Sequence, residues 1–302
     1  MKAEDQVEIS ISSSSSSISS SNIRWWSKET VAIVTGANKG IGFALVKRLA
    51  ELGLTVVLTA RDAERGERAV ESLRNKGLLN VTFFRLDVSD SSSISTFVSW
   101  FRNKFAALDI LVNNAAVSFN NIGENSVEHA ETVMKTNFYG AKLLTESLLP
   151  FFRLSPSRSR ILNISSRLGS LAKVRNPNIK QILQQEDLSE DQIDQTAKSF
   201  LQSVKNGTWE SQGWPELWTD YAVSKLALNA YSRVLAKRCK RNRISVNCYC
   251  PGFTQTSMTR GKGTHSADEA AQVAARLVLL PPEELSTSKF YVGFNPFVKS
   301  NL

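Results

Sequence analysis

From residue 31 onward, short apolar runs alternate with amphipathic stretches. VAIVT (31–35) and TVVLT (55–59) are β-branched runs of strand length, and such runs read as buried strands. Between them Ile41, Leu45, Leu49 and Leu52 recur at helical spacing up to Gly53, one apolar face with a stop signal behind it. Residues 63–76 are charged and helix-favouring, with Ala69, Val70 and Leu73 as the inner face. VTFFRL (81–86), DILVN (109–113), RILNIS (160–165), ISVNCY (244–249) and FYVG (290–293) are further strand candidates, most of them separated by helical patterns. Strand–helix alternation of this kind predicts one doubly wound α/β domain. Its parallel sheet has about seven strands, is covered on both faces and is joined by right-handed crossovers.

The first 28 residues differ in kind. ISISSSSSSISSSN (9–22) is low-complexity and cannot bury enough apolar surface to offset its ordering entropy. It has no basic n-region or long apolar core of a secretory signal, and Glu4, Asp5 and Glu8 are unlike a transit peptide. Residues 1–28 are expected to be a disordered tail and 29–302 the domain. No apolar run reaches the ~18 residues of a membrane span. Composition is that of a soluble globular chain, 42% apolar and 22% charged. The net charge of +9 owes much to one run, Lys237-Arg238-Cys239-Lys240-Arg241-Asn242-Arg243. That run reads as a solvated helix end, since no recognition motif accompanies it; no nucleic acid and no membrane are expected as partners. Three cysteines, Cys239, Cys248 and Cys250, suit free buried thiols in a reducing compartment. The expected location is the cytoplasm. The final Ser300-Asn301-Leu302 matches a peroxisomal address only loosely. His129 and His265 are the two histidines, neither at a metal-ligand spacing, so no metal site is expected.

Chemistry enters at TGANKGIG, Thr35 to Gly42, where the first strand turns into the first helix. A helix N-terminus presents unpaired N–H groups and partial positive charge, and glycines let a phosphate approach. The expected fold is therefore Rossmann-type, with a nucleotide at this turn. An NAD site usually ends its second strand on a carboxylate for the ribose 2′-hydroxyl. Here the strand ends Thr59-Ala60-Arg61. Arg61 offers a planar fork for a 2′-phosphate and Lys39 a second cation, which favours NADP(H); Asp62 either points away or pairs with Arg61. In Asp220-Tyr221-Ala222-Val223-Ser224-Lys225, Tyr221 and Lys225 stand one helical turn apart. A nearby ammonium lowers a phenol's pKa, and such a phenol can exchange a proton with a carbonyl oxygen.

The ordered set TGANKGIG, Asp87, Asn113-Asn114-Ala115, Ser166, Y-x-x-x-K and Pro251-Gly252 resembles the short-chain dehydrogenase/reductase family over about residues 30–294. Finer likeness to its carbonyl-reductase-like branch lies in Lys135-Thr136-Asn137-Phe138, Gly213-Trp214-Pro215 and LALNAYSRVLAK (226–237). The resemblance implies Tyr221 as general acid/base. Lys225 would lower its pKa and bond the nicotinamide ribose, Ser166 would donate to the substrate carbonyl, and Asn137 would hold a relay water. It further implies that Gly36, Asn38, Lys39, Gly40, Ile41 and Gly42 line the pyrophosphate and adenosine ribose, that Asp87 and Val88 bracket the adenine, and that Asn114 touches the adenosine-side ribose region. Pro251, Gly252, Thr254 and Thr256 would cover the nicotinamide. Ala116 stands where the family usually has glycine, and Thr254 where it often has Val or Ile.

Ser166 and Tyr221 are 55 positions apart, more than is usual in the family. The extra residues, about 170–218, are expected to form a helical insertion near the substrate mouth. Trp209, Trp214 and Trp218 close it, read as core anchors ahead of substrate contacts. In the resembled branch such an insertion covers an oligomerising helix face, implying a monomer. The expected activity is NADPH-dependent interconversion of a small ketone or aldehyde with its alcohol, and the resemblance implies a terpenoid or alkaloid substrate. A non-catalytic NADP(H)-binding scaffold is the alternative.

Overall fold

A computed structural model of the chain describes residues 24–119, 126–153, 159–293 and the backbone of 298–301. The strands are β1 (Val31–Val34), β2 (Thr55–Ala60), β3 (Val81–Arg85), β4 (Ile110–Asn113), β5 (Arg160–Ile164), β6 (Ser245–Cys250), β7 (Lys289–Val292) and β8 (Val298–Asn301). They form one sheet in the order β3-β2-β1-β4-β5-β6-β7-β8. The first seven are mutually parallel, as the alternation predicts. β8 adds an antiparallel edge that the sequence reading did not anticipate.

The helices are α1 (Gly40–Glu51), α2 (Ala63–Arg74), α3 (Ser91–Lys104), α4 (Val127–Met134), α5 (Ala141–Leu148), α6 (Pro177–Gln184), α7 (Glu190–Lys205), α8 (Thr219–Cys239) and α9 (Ala267–Val278). Local chemistry starts most of them: Asp62, Asp90, Ser126, Asn176, Ser189 and Ser266 each accept a backbone N–H of the first turn. Strand alternation divides the core. Val31 and Ile33 of β1 face the layer built with α3, α4, α5, α7 and α8. Ala32 and Val34 face the layer built with α1, α2 and α9.

β1 pairs with β2 on one side and β4 on the other. The chain therefore winds outward in both directions from β1 and β4, and a crevice opens at the carboxyl ends of these strands. The glycine turn, the loop after β4 and the end of β5 all lie on that edge.

Of the expected tail, residues 1–23 lie outside the described residues, and Trp25 and Trp26 pack on the α1–α9 layer. The Trp25 indole donates to the Leu279 carbonyl at 3.2 Å, and its ring lies 4.1 Å from the guanidinium of Arg160. Burial pushes Arg160 down to about 9. The basic run spans the end of α8 and the turn after it, and two of its cations are held: Arg238 pairs with Glu146 and Glu190, and Lys237 donates to the Glu186 carbonyl.

Candidate active site

A cleft of about 640 Å³ runs across the carboxyl edge from β2 to the N-terminus of α8. One end is the β1–α1 turn. Gly36 has φ +61°, and a Cβ there would stand 2.7 Å from the Cα of Ala115, so this turn requires glycine. Gly42 is fixed by proximity instead: a Cβ would meet Asn114 Nδ2 at 2.4 Å and the Gly36 carbonyl oxygen at 2.9 Å. Asn114 is the strut beneath the turn, donating to the carbonyls of Thr35 (2.8 Å) and Gly36 (3.1 Å). The Thr35 hydroxyl in turn accepts the N–H groups of Asn114 and Ala115, each at 3.0 Å. The result is a rigid concave backbone with Asn38, Lys39, Gly40 and Ile41 on its surface.

Arg61 and Lys39 line the same end, and neither forms an ion pair among the described residues. Asp62 turns away: its carboxylate caps α2 through the Arg65 N–H at 2.9 Å and pairs with the Arg65 guanidinium. Asp87 and Val88, after β3, close this end. Burial raises the Asp87 pKa, but the Ser89 hydrogen bonds and the cations Arg61 and Arg85 outweigh it and hold the carboxyl below its ordinary value. Charge and shape here fit an anionic nucleotide with an additional phosphate beside Arg61.

The other end holds Ser166, Tyr221 and Lys225. Ser166 follows β5, and its Oγ accepts the Leu168 N–H at 3.1 Å, which caps the short turn Arg167–Gly169. Tyr221 and Lys225 project from the first two turns of α8. Lys225 Nζ donates to the Ile164 carbonyl at 2.8 Å and lies 5.4 Å from the Tyr221 ring centre. Burial pushes Lys225 down to about 8. The expectation that this ammonium lowers the Tyr221 pKa is not met in the protein alone. Burial, aided by Cys250, pushes the phenol up: desolvation of the phenolate outweighs an ammonium that lies 5.4 Å from the ring centre.

Asn137 and Gly42 do not line the cleft. Asn137 is buried in a π-helical turn, Lys135–Gly140, between α4 and α5. Its amide accepts the Val117 N–H (2.8 Å) and donates to the Val117 carbonyl (2.9 Å) and Ser224 Oγ (3.0 Å). It thus ties the loop after β4 to α8 one residue before Lys225. Pro251, Gly252, Thr254 and Thr256 follow β6 along the cleft, with Thr254 Oγ1 donating to the Pro251 carbonyl at 3.2 Å.

Several wall residues escaped the sequence reading: Val117, Phe119 and Cys250. Cys250 is a free buried thiol as expected, but it also borders the cleft, accepting the Arg167 N–H at 3.3 Å. The three tryptophans divide. Trp214 is wholly buried against Phe200, an anchor. Trp209 is partly buried against the core. Trp218 lines the cleft edge-on to Tyr221, with ring centres 6.3 Å apart. Its place one turn ahead of Tyr221 was the available signal.

Comparison with known proteins agrees with this geometry. The family model described as short chain dehydrogenase matches residues 30–180 and 210–267, and its gap falls within the α6–α7 insertion. Salutaridine reductase of Papaver bracteatum is 40% identical over 289 residues, 85% of this chain and 92% of that protein. Human carbonyl reductase [NADPH] 1 is 36% identical, covering 84% and 92%. Among solved structures, salutaridine reductase from Papaver somniferum superposes with a TM-score of 0.79 at 38% identity, covering 85% of this chain and 98% of that one.

Proposed function

The chain belongs to the short-chain dehydrogenase family and is an oxidoreductase acting on carbonyl or alcohol groups; within that family we propose an NADPH-dependent carbonyl reductase of a small ketone, of terpenoid or alkaloid type. The observation that carries this reading is one cleft with Arg61 and Lys39 at one end and Ser166, Tyr221 and Lys225 at the other. The non-catalytic alternative falls to relatives named as reductases and dehydrogenases.

The cofactor, when bound, supplies the hydride. Lys39 and Arg61 hold its 2′-phosphate, with Asp62 withdrawn to its helix cap. The Gly36–Gly42 backbone, propped by Asn114, takes the pyrophosphate. Ser166 Oγ donates to the substrate carbonyl oxygen and stabilises the charge that develops there. Tyr221 gives its proton to that oxygen. The phenol is protonated at neutral pH and so is the proton donor in the reductive direction; burial makes it a weaker acid, which the neighbouring ammonium offsets as the phenolate forms. Lys225, anchored on the Ile164 carbonyl, stabilises the phenolate left behind. Asn137 fixes the α8 turn that carries Lys225.

A monomer in the cytoplasm completes the proposal. Its supports are the insertion packed on α8 and the free state of Cys239, Cys248 and Cys250. No helix among the described residues is long and apolar enough to cross a membrane.

The test is NADPH oxidation against a panel of ketones and aldehydes, with NADH in parallel. Turnover should prefer NADPH, and Tyr221→Phe should lower kcat by about 10²–10⁴-fold. Undiminished turnover by Tyr221→Phe would overturn the assignment.

A further inference from the structure

Trp218 breaks two local rules at once. It is the residue before α8, where Ser, Thr, Asp or Asn would cap the helix, and its side chain makes no capping bond. Its backbone is left-handed, φ 50° and ψ 53°, a conformation that disfavours bulky side chains. Asparagine or glycine would satisfy the backbone better. Such violations persist where the surroundings over-determine them, and they cluster at ligand sites.

The surroundings here do over-determine it. On one side, Trp214 is wholly buried against Phe200. On the other, Thr219 Oγ1 donates to the carbonyls of Pro215 (2.8 Å) and Glu216 (3.3 Å), and the Ala222 N–H donates to the Trp218 carbonyl at 2.7 Å. Between these anchors the indole is turned out of the core and onto the cleft wall, edge-on to the Tyr221 ring. It stays partly exposed, so the core gains little from it. Across the mouth Phe119 and Phe253 are also exposed, 40% and 46%.

We infer that Trp218 is a specificity-determining wall that selects a flat, cyclic apolar ketone by stacking its ring system beside the reacting carbonyl, and disfavours short open-chain ketones. This rests on the carbonyl-reductase reading of the same cleft. Aromatic surface held rigid by the backbone offers contact area with little ordering cost on binding. A flat ring system uses that area; a short flexible chain does not.

The experiment compares wild type with Trp218→Gly, which relieves the left-handed backbone, and Trp218→Phe, which keeps a ring. Each protein is loaded with NADP⁺, and the Kd of 1-tetralone and of 3-pentanone is measured by calorimetry, beside the melting temperature. Wild type should favour the tetralone. Trp218→Gly should shrink the Kd ratio about tenfold without lowering the melting temperature, and Trp218→Phe should keep most of the ratio. An unchanged ratio in Trp218→Gly, an equal loss for both ketones, or a wild type that binds them alike would overturn the wall. Turnover of the same ketones separates the two ideas. A wild type that keeps the ratio but never oxidises NADPH sinks the reductase reading and leaves the wall standing. Reduction with an unchanged ratio does the opposite.

Discussion

Asp220 stands immediately before the proposed acid/base, and burial pushes its carboxyl up to about 7. Its Oδ1 finds no hydrogen-bond partner among the described residues. In the unfolded chain this group ionises near 3.8, so between that pH and about 7 the folded state binds more protons. Stability therefore falls as pH rises through the interval and stays low above it. The ionised form costs the fold on the order of 3 kcal/mol at pH 8. Asp220→Asn should accordingly raise the melting temperature at pH 8, by about 5–10 °C, and change it little below pH 4. Melting curves at the two pH values check this; an equal shift at both would mean that the charge is not the cause. Lys225 works in the opposite sense, since burial lowers its pKa to about 8. Its neutral form is tolerated and its charged form is the costly one, a cost accepted for the ammonium beside Tyr221. Tyr221 and Lys225 were legible because a four-residue spacing on any helix makes neighbours. Trp218 was legible only by its place one turn ahead of Tyr221, because the direction of its side chain depends on a left-handed backbone that the sequence does not announce.

At the scale of elements, β1, β2, β4, β5 and β6 were readable because they are buried on both faces and so appear as largely apolar runs, while β3 and β7, only partly buried, were readable from their aromatic and β-branched residues. β8 escaped: it is a short edge whose order comes from pairing with β7, a tertiary cause. The β1–α1 turn is legible as a phosphate cradle; Asn114, expected as a cofactor contact, lines the cleft, and its amide is also the strut beneath the turn. That strut makes a prediction. Gly42 sits in the first turn of α1, and any Cβ there collides with Asn114 Nδ2 and with the backbone of Ala37 and Gly36. Because two of these obstacles are main chain, neither can rotate aside. Gly42→Ala should lower the melting temperature and reduce the NADPH-induced rise in it at least tenfold in apparent affinity, equivalent to about 1.4 kcal/mol. Thermal shift titration reads both effects, and a variant that binds NADPH like wild type would show that the cradle tolerates displacement.

For the whole molecule, the decisive feature is what the insertion covers. The sequence announced its presence by the long interval between Ser166 and Tyr221, but not its seat, since its own pattern only marks amphipathic helices. In the fold, Ile193, Ala197, Phe200 and Val204 of α7 join the core that holds Val223, Ala227, Ala230 and Tyr231 of α8. Polar clasps fasten the rim: Lys142 to Glu190 and Asp194, Arg238 to Glu146 and Glu190, and Arg233 Nη2 to the Gln185 carbonyl at 3.1 Å. Exposed or half-exposed pairs contribute about 0–1 kcal/mol each, whereas burying one large apolar side chain contributes about 1.5–3 kcal/mol. The apolar seam therefore holds the insertion down and the clasps set its register. The α7 seam covers much of the apolar face that α8 could offer a second copy, and isologous pairing needs a self-complementary patch. Light scattering after gel filtration should give the mass of one chain, 33.5 kDa, at micromolar concentration. Phe200→Asp, which puts a charge into the seam beside Trp214, should destabilise the fold by about 3 kcal/mol or more and make the protein associate as concentration rises. A wild type that runs as a dimer would show that some face other than α8 carries assembly, and would leave the insertion with the substrate mouth as its only task.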